Sequence, residues 1–442
     1  MSKAFTDLAA WLEYVDTQPW QTITMGLDRV RTVVQAMALD QPESYVITVA
    51  GTNGKGTTCI ACEALLLAHG LTVGTTLSPH IDRFNERMRI NGVEVDDAQL
   101  CAAFTAVDAA KGDVPLTYFE YTTAVALWLF KRHQVDVAIL EIGLGGRLDS
   151  FNVIDPDCAV ITSIGLDHQA FLGDDVETIG QEKAGILRPG KRAVLGAQVS
   201  RSVHQAAAEL GLDAQVAEQD FSARYVDQAS WQYTHGERVW SDLPVNGLPI
   251  HNLALALQAV AEVVELEPAR VKQAFSGLQM RGRIEQRGFA GRQILLDVAH
   301  NPAALHFLLA ELSARGVTVN HVFLGMLEDK DHVGVCQTLA ELDVPVSLMD
   351  TLGYRSFAAE DLLATVKQHA PSLIERLQMK VIDVQLTDYI NSATAPGDVI
   401  LALGSFSVVE QMRIGSDKDI EDCSEDVDAA TPKLASGGAG RE

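Results

Sequence analysis

The stretch that decides the fold reads Val46-Ile-Thr-Val-Ala-Gly51-Thr52-Asn53-Gly54-Lys55-Gly56-Thr57-Thr58. Its apolar first half predicts a buried strand over 44–50, and the apolar residues behind the turn predict a helix over 57–69. Glycines allow successive backbone N–H groups to point at one anion, and the helix N-terminus adds positive potential. Lys55 can add a point charge, and a threonine hydroxyl can reach a magnesium ion. The stretch therefore predicts a phosphate-binding loop.

This loop departs from the general G-x-x-x-x-G-K-[ST] pattern at two positions. Val49 stands where the first glycine would be, and Gly56 follows the lysine in place of Ser or Thr. Because a strand precedes the loop and a helix follows it, a phosphate site is favoured over a chance glycine-rich turn. A phosphate loop does not name a reaction, since kinases, motors, switches and ligases all use one.

The composition excludes several classes of protein. The chain has 442 residues, too many for one ordinary hydrophobic core, so two domains are expected. Its net charge of −25 argues against a nucleic-acid-binding surface, which needs clustered Lys and Arg. No apolar run approaches the roughly 20 residues of a membrane span, and residues 1–18 lack the pattern of an export signal. We expect a cytoplasmic protein with neither nucleic acid nor a membrane as its partner.

The six cysteines show no spacing typical of a disulfide framework. Cys59 and Cys62 form a C-x-x-C, which suits a redox pair or half of a zinc site. No second Cys or His pair follows at metal-ligand spacing, and the pair lies in an apolar helical stretch where buried thiols are common. We therefore interpret the two thiols as packing residues.

Short apolar runs of strand length recur along the chain and alternate with helical stretches. Besides the first, they cover 135–140, 158–164, 293–296, 321–324 and 399–403. Such alternation indicates βαβ units and mostly parallel sheets, so the predicted fold class is α/β. Residues 191–245 alternate more like β structure, and we expect them to form an antiparallel flank of the first domain.

The predicted domains are 1–285, a nucleotide-binding domain, and 286–414, a smaller α/β domain. The boundary is placed there because the polar, glycine-containing segment 279–285 precedes a new strand–helix series. Residues 415–442 are rich in Ser, Asp, Glu and Gly, and we expect them to be a disordered acidic tail.

Acidic and imidazole groups follow two of the predicted strands. Glu141 comes directly after one strand, and Asp167 and His168 follow the next. Open α/β sheets gather their ligand sites at the carboxyl ends of the strands. A carboxylate facing a phosphate loop is a natural magnesium ligand, although a salt-bridged or helix-capping Glu would give the same pattern. The histidine is either a metal or water ligand or merely hydrogen-bonded, and the pattern leaves both open.

The wording of seven segments is more specific than their chemistry. They occur in the order Gly51-Thr-Asn-Gly-Lys-Gly-Thr57, Ser78-Pro-His-Ile-Asp-Arg-Phe-Asn-Glu-Arg87, Thr117-Tyr-Phe-Glu120, Glu141-Ile-Gly-Leu-Gly-Gly-Arg-Leu-Asp149, Asp167-His168, Glu182-Lys-Ala-Gly-Ile186 and Asp297-Val-Ala-His-Asn-Pro302. This series resembles the folylpolyglutamate synthase family of the Mur ligase superfamily, and in particular its bifunctional bacterial members. The resemblance covers nearly the whole chain up to about residue 412.

The resemblance implies a P-loop ATPase domain of the Mur ligase type, with a mostly parallel sheet, and a smaller Rossmann-like domain that closes the active-site cleft. Such enzymes use ATP to phosphorylate the carboxylate of dihydropteroate or a reduced folate, and the amine of L-glutamate then displaces the phosphate. The implied activity is an ATP-dependent acid–amino-acid ligase of folate biosynthesis and one-carbon metabolism. The chain shows no coiled coil, and we expect a monomer.

The resemblance also implies roles for particular residues. The catalytic residues would be Lys55, Lys183 and His300, with His300 beside the reacting phosphate. The nucleotide contacts would be Thr52, Asn53, Gly54, Lys55, Gly56, Thr57, Asn252, Arg283 and Asp297. Two Mg²⁺ ions would be held by Ser78, Glu141, His168 and Lys183. Lys183 would bind its ion as a carbamate formed with carbon dioxide. A monovalent cation such as K⁺ would accompany the two Mg²⁺ ions. The carbamate is chemically sensible because a bare ammonium repels a metal ion, whereas an anion binds it.

The implied pterin and folate contacts come from three segments. They are Met25, Gly26, Leu27, Asp28, Arg29, Thr117, Tyr118, Phe119, Glu120, Leu148, Asp149 and Ser150. The third segment reads Leu148-Asp-Ser-Phe-Asn152 where the family usually has Leu-Asp-Ala-Thr-Asn, which changes the expected packing. Val298 replaces a glycine common in the family, which we expect to be harmless if its φ is negative. The loops 325–331 and 404–406 resemble family loops at the cleft, and either a glutamate contact or a simple turn and helix cap explains them.

Three alternatives stay open. A peptidoglycan-precursor ligase of the same superfamily would carry a further domain before the loop, and only about fifty residues precede Gly51. A monofunctional folylpolyglutamate synthase would extend glutamate chains without making dihydrofolate, and residues 25–29 favour the bifunctional form. A nucleotide-dependent switch without turnover is disfavoured because the residues that the ligation would need are all retained, namely Lys55, Glu141, His168, Lys183 and His300.

Overall fold

A computed structural model describes residues 5–17, 26–353, 355–379 and 386–416. It contains two large α/β sheets and one small antiparallel sheet. Within the described ranges, no helix combines the length and apolar character needed to cross a membrane.

The first sheet has eight strands and contains the phosphate loop at its centre. Its strands are β1 (Tyr45–Ala50), β2 (Val73–Thr76), β3 (Met88–Ile90), β4 (Val93–Glu94), β5 (Val137–Glu141), β6 (Cys158–Ser163), β7 (Arg192–Gln198) and β8 (Ala214–Val216). Their order is β4-β3-β2-β5-β1-β6-β7-β8. The β2–β3 and β3–β4 pairs are antiparallel, and the other pairs of neighbouring strands in this sheet are parallel. Strand β1 lies between β5 and β6, so the carboxyl ends of these three parallel strands meet at one edge.

The continuous apolar sequence of β1 reflects burial on both faces of the sheet. Val46 and Ala50 pack into one core, and Ile47 and Val49 pack into the core on the opposite face. Successive side chains of a strand point to opposite faces, so a strand covered by helices on both sides needs apolar residues at every position. The strand predicted over 44–50 is therefore confirmed.

Ten helices accompany this sheet and the region that follows it. They are α1 (Leu8–Asp16), α2 (Asp28–Ala36), α3 (Lys55–Ala68), α4 (Asp97–Lys111), α5 (Tyr118–His133), α6 (Gln169–Leu172), α7 (Val176–Ala184), α8 (Arg201–Glu209), α9 (Ile250–Ala261) and α10 (Pro268–Phe275). Helix α3 begins at Lys55, two residues earlier than the predicted start. Cys59 and Cys62 are fully buried on α3, as expected for packing residues.

The region 191–245 is only partly antiparallel. Strands β7 and β8 extend the first sheet in the parallel direction, which corrects the prediction for its first half. The antiparallel part is a separate sheet of β9 (Phe221–Tyr225), β10 (Ser230–His235) and β11 (Arg238–Pro244). Trp231 and Trp240 are buried there, and their role is packing.

The second large sheet has six strands. They are β12 (Glu285–Phe289), β13 (Arg292–Leu296), β14 (His321–Leu324), β15 (Val346–Leu348), β16 (Leu377–Met379) and β17 (Val399–Leu403), in the order β12-β13-β17-β14-β15-β16. Its helices are α11 (Pro302–Ala314), α12 (His332–Ala340), α13 (Ala359–His369), α14 (Leu386–Ala393) and α15 (Phe406–Ser416). Only β12 runs antiparallel to its neighbour, so a mixed α/β fold with a second α/β domain is confirmed. Residues 415 and 416 form the end of α15, and residues 417–442 of the predicted tail lie outside the described residues.

Candidate active site

The phosphate loop connects β1 to α3 through two glycines that no other residue could replace without strain. Gly51 has φ of 152°, and a Cβ there would lie 1.9 Å from Thr162 Oγ1. Gly54 caps α3 with φ of 86°, a left-handed conformation that favours glycine. The Thr52 N–H donates to the Ser163 carbonyl at 2.8 Å, which ties the loop to the end of β6. The loop is therefore fixed by its own backbone and by the neighbouring strand.

Two lysines converge on the loop. Lys55 Nζ donates to the Gly51 carbonyl at 3.0 Å and to the Thr52 carbonyl at 3.2 Å. Lys183, at the end of α7, is 5% exposed and donates to the same Gly51 carbonyl at 3.0 Å. Burial and the nearby charge of Lys55 lower the pKa of Lys183 to about 7. The two predicted catalytic lysines thus lie together, and burial lowers the pKa of both ammonium groups.

Glu141 and Ser78, two of the predicted metal ligands, are neighbours beside the loop. Glu141 ends β5 and pairs in register with Val49 of β1. Its Oε2 accepts the backbone N–H of Ser78 at 2.6 Å. Burial raises the pKa of Glu141 to about 7, while the positive charges of Lys55 and Arg283 oppose that shift. A buried carboxylate and a hydroxyl side by side are the oxygen donors that magnesium prefers.

His168 follows β6 in a left-handed conformation, with φ of 52°. Its backbone N–H donates to Asp167 Oδ1 at 2.9 Å, and burial lowers the pKa of its imidazole to about 4. A neutral imidazole is the form that can bind a metal ion. Among the described residues, no three His, Cys, Asp or Glu side chains cluster as a metal site. The predicted set differs from such a cluster because two of its four members are Ser78 and Lys183.

A cavity of about 630 Å³ adjoins the phosphate loop on one side and contains most of the predicted nucleotide contacts. Asn252, on α9, lies directly over the loop, since a Cβ on Gly54 would meet its amide at 2.6 Å. The cavity is lined by Asn53, Gly54, Thr57, Asn252, Arg283 and Asp297 of the predicted set. Thr52 and Lys55 belong to the same loop without lining this cavity. Its size is that of a nucleotide-binding pocket.

A second cavity, of about 220 Å³, adjoins the phosphate loop at Gly56. It is lined by Gly56, by Ser78 and Glu141, and by Phe406 of the second domain. Arg283 lines both cavities. The loop and Arg283 therefore separate a nucleotide-sized space from a smaller one that contains two predicted metal ligands.

Asp297 uses both carboxylate oxygens on the backbone. Oδ2 accepts the Ile284 N–H at 3.0 Å, and Oδ1 accepts the Ala299 N–H at 2.8 Å. Burial raises its pKa. The residue joins the segment between the two domains to the loop that carries His300, and its predicted contact with a ribose stays a prediction.

His300 faces the first domain from the second. Its Nδ1 lies 2.8 Å from the Val298 carbonyl, and its Nε2 lies 3.3 Å from Asp167 Oδ2. The imidazole therefore lies between a carbonyl of its own loop and a carboxylate of the first domain. Lys330 of the loop 325–331 also reaches Asp167, at 3.2 Å. The sequence did not predict that Asp167 would contact both His300 and Lys330 across the cleft, because nothing local indicates a contact between residues more than 130 positions apart.

The beginning of α5 joins two of the predicted pterin segments. Thr117 caps this helix, with Glu120 Oε2 accepting the Thr117 N–H at 2.7 Å. Arg29, at the start of α2, lies 3.0 Å from Glu120 Oε1. Asp28 instead has a fully exposed side chain that pairs with Arg31. The structure thus brings Arg29 and the segment 117–120 together.

The third pterin segment is held by Asp149. Its carboxylate accepts the N–H groups of Gly143 at 3.0 Å, Leu144 at 2.9 Å and Phe151 at 3.0 Å. Burial raises the pKa of Asp149 to about 6. The carboxylate therefore shapes the glycine-rich turn, whatever its role towards a ligand.

Aromatic side chains pack around the same turn. Phe119 contacts Phe151 edge to face at 5.6 Å, and a Cβ on Gly143 would lie 2.5 Å from Phe119. Tyr118 lies beside the guanidinium of Arg87, 5.7 Å from its ring centre. The other predicted pterin contacts do not form one cluster. Ser150 bonds to Thr123, and Leu27 packs against the core of the first domain. Gly26 and Leu148 are chain neighbours of Leu27 and Asp149, and Met25 lies outside the described residues.

The family models divide the chain as the two sheets do. Residues 49–238 match the Mur ligase middle domain, and residues 282–406 match the Mur ligase glutamate ligase domain. This fold and the loop at its centre define an ATP-dependent ligase of the Mur type.

The relatives narrow the class. The chain is 40% identical over 367 residues to a dihydrofolate synthase/folylpolyglutamate synthase of Escherichia coli K12, covering 82% of this chain and 86% of that protein. The structure of Escherichia coli FolC in complex with DHPP and ADP matches with a TM-score of 0.86 and 36% identity, and the match covers 95% of this chain and 99% of that one. A Yersinia pestis bifunctional folylpolyglutamate synthase/dihydrofolate synthase complexed with AMPPNP and Mn has a TM-score of 0.85 at 37% identity, covering 94% of this chain and 99% of that one. The chain belongs to the dihydrofolate synthase/folylpolyglutamate synthase family.

Proposed function

We propose that this ligase adds L-glutamate to 7,8-dihydropteroate and further glutamates to reduced folates, in both cases through an acyl phosphate made with ATP. The observation that carries the proposal is the meeting of two cavities at the phosphate loop. One has the size of a nucleotide, the other lies beside Ser78 and Glu141, and Arg283 lines both. A γ-phosphate at this junction can be reached by an acceptor carboxylate from the side opposite to the nucleotide.

The residues around the junction suit a phosphoryl transfer followed by an acyl transfer. A carboxylate oxygen of the acceptor attacks the γ-phosphorus and ADP leaves. The amine of glutamate then attacks the acyl carbon, loses a proton and expels phosphate. Lys55, the N-terminus of α3 and Arg283 offset the phosphate charge, because opposite charges act strongly in a partly buried site. His300 of the second domain faces this site through its contact with Asp167.

The four predicted metal ligands suit a divalent metal ion only if Lys183 carries a negative charge in place of its usual positive one. When bound, the ion would neutralise phosphate charge and polarise the bond that breaks. Glu141 and Ser78 offer adjacent oxygens, and His168 offers a neutral imidazole. Lys183 has a pKa of about 7, so much of it is neutral near pH 7, and a neutral amine is the form that attacks carbon dioxide. We therefore infer that Lys183 is carbamylated, whereas the K⁺ site stays a prediction without a residue to support it.

The acceptor site is inferred from the aromatic and charged residues around α5. Tyr118 and Phe119 lie at the start of this helix, beside the turn that Asp149 holds. Arg29 and Glu120 pair at the same end. Flat aromatic surfaces next to a hydrogen-bonding pair are suited to a pterin ring. The domain limits at 285 and 414, the monomeric state and the cytoplasmic location stay predictions.

The proposal is tested by the products. Purified protein is incubated with ATP, Mg²⁺ and L-glutamate together with either dihydropteroate or tetrahydrofolate, and the products are separated by liquid chromatography and weighed by mass spectrometry. We expect dihydrofolate from the first acceptor and a product one glutamate longer from the second. Formation of only the longer folate would identify a monofunctional folylpolyglutamate synthase. A reaction that proceeds without L-glutamate would refute the proposed amine donor.

A further inference from the structure

The segment that follows Ser78 connects two strands of the first sheet and contacts the second domain. Ile81 and Asp82 lie three and four residues after Ser78, on the loop between β2 and β3. The carboxylate of Glu86 accepts the backbone N–H groups of Ile81 at 2.9 Å, Asp82 at 2.8 Å and Arg83 at 2.8 Å. Three charge-assisted hydrogen bonds from consecutive residues hold the segment in one conformation.

Ile81 packs into the core of the second domain. It contacts the buried cluster that contains Val298, Val409 and Met412. A Cβ on Gly282 would lie 3.0 Å from Val298, 3.2 Å from Ile81 and 3.6 Å from Val409, so these three side chains converge on one glycine. Gly282 has φ of 64°, which also favours glycine. The side chain of Ile81 therefore sits in an apolar socket that belongs to the other domain.

Asp82 is held by two arginines, one in the second domain and one in the segment that leads to it. Arg413, in the last turn of α15, donates to Asp82 Oδ2 and also lies 3.2 Å from Glu285 on β12. Arg281, in the segment between the domains, lies 3.6 Å from Asp82 and 3.3 Å from Glu86. Arg413 is 9% exposed, whereas the side chain of Asp82 is 35% exposed, so this ion pair is only partly shielded from water.

The socket continues into the loop that carries His300. The Val298 N–H donates to the Gly282 carbonyl at 3.0 Å, and the Val298 carbonyl bonds to His300 Nδ1 at 2.8 Å. Ser78 bonds to Glu141 at the opposite end of the same segment. A chain of direct contacts thus runs from the predicted metal ligands through Ile81 to His300.

We propose that Ile81 and Asp82 form a joint that sets the position of the Ser78–Glu141 side of the active site relative to the His300 side. Ile81 and Asp82 are thus positioning residues for the ligation reaction. This inference rests on the proposed function. Because acyl transfer depends on alignment, a shift of about 1 Å between the two sides can lower the rate by about 100-fold. Ile81 also lines the small cavity beside Ser78 and Glu141, whereas the pterin contacts proposed around α5 come from other residues, so we expect the joint to act on turnover more than on acceptor binding.

The test compares Asp82→Asn and Ile81→Ala with Arg83→Gln. Arg83 is the next residue, and its 61% exposed side chain pairs within the first domain with Asp97, which makes it a matched control. For both joint variants we expect kcat to fall by about 10-fold to 100-fold, with the KM for dihydropteroate within about twofold of the wild-type value. Arg83→Gln should keep the wild-type kcat. Asp82→Glu, which retains the charge, should recover part of the loss.

Two further measurements separate positioning from misfolding and from a wrong function. Thermal unfolding identifies any variant that has lost its fold, and small-angle X-ray scattering of the nucleotide-free protein should give a larger radius of gyration for Asp82→Asn than for Arg83→Gln. A folded Asp82→Asn and a folded Ile81→Ala with the kcat and radius of the control would overturn the joint. If the wild-type protein shows no turnover with either acceptor, the proposed function is wrong, and the scattering comparison still decides whether the joint exists.

Discussion

Two glycines with the same backbone conformation allow the phosphate loop to be tested with a matched control. Gly54 has φ of 86° and lies in the loop, whereas Gly70 has φ of 85° and follows α3 at the protein surface. An alanine at either position costs about 1 to 2 kcal/mol, because a left-handed conformation brings Cβ close to the carbonyl oxygen. The two substitutions therefore carry the same backbone strain.

The surroundings of the two glycines differ. A Cβ on Gly70 would meet no atom within 4 Å. A Cβ on Gly54 would lie 2.6 Å from Oδ1, 2.7 Å from Nδ2 and 2.9 Å from Cγ of Asn252. Carbon atoms in contact are normally about 3.5 to 4.0 Å apart, so the Asn252 amide must move by at least about 0.6 Å. Since Asn252 lines the proposed nucleotide cavity, its displacement should cost a hydrogen bond to the nucleotide.

The expected loss is about 1.5 kcal/mol, or about tenfold in affinity for ADP. Isothermal titration calorimetry with ADP and Mg²⁺ measures it directly, and thermal unfolding measures the strain that both variants share. Gly54→Ala should bind ADP about tenfold more weakly than Gly70→Ala, which should bind as the wild-type protein does. Equal affinities for the two variants, at equal stability, would refute the placement of the nucleotide over Gly54 and Asn252.

Three more substitutions test the account at other points. Lys183→Ala should abolish turnover, and added bicarbonate should not restore it. An NMR spectrum recorded with ¹³C-bicarbonate should show a carbamate signal for the wild-type protein and none for the variant, and full activity of the variant would exclude the carbamate. Lys55→Ala should lose ATP binding in equilibrium dialysis, and an unchanged affinity would mean that the phosphate site lies elsewhere. His321, 2% exposed and bonded to Ser347 at 2.8 Å, has its pKa lowered by burial from 6.5 to about 4. Between these two pH values the unfolded chain binds a proton that the folded chain does not, so the free energy of unfolding should fall as the pH drops from 6.5 towards 4 and stay level above 6.5. The same pH series on His321→Gln should be flatter, and parallel curves would assign the acid sensitivity to another group.

Much of the fold could be predicted because the local pattern and the tertiary structure agree. The apolar run before Gly51 is buried on both faces of a sheet, and strands at 321–324 and 399–403 lie where the alternation predicts them. Val298 does not occur among the described residues with positive φ, as the expectation of a harmless replacement required. The pairing direction of β7 and β8 could not be predicted, because it depends on strands far away in the chain.

The candidate site was predictable as a set of segments but less so as a set of contacts. The glycine-rich loop and Glu141 lie together because parallel strands bring their carboxyl ends to one edge, and Lys183 reaches the same loop from the end of α7. The sequence did not indicate that the carboxylates of Asp149 and Asp297 would be occupied by backbone N–H groups. Nor did it indicate that Asp167 would contact His300 and Lys330 of the second domain. Such contacts depend on how two domains pack, and side-chain identity alone does not determine them.

The most direct test of the central claim is phosphate release from ATP in the presence of Mg²⁺ and L-glutamate, measured with dihydropteroate and with tetrahydrofolate in separate reactions. The account predicts phosphate with both acceptors, and only when L-glutamate is present. Release with tetrahydrofolate alone would leave a folylpolyglutamate synthase without the synthase step, and silence with both acceptors would contradict the account.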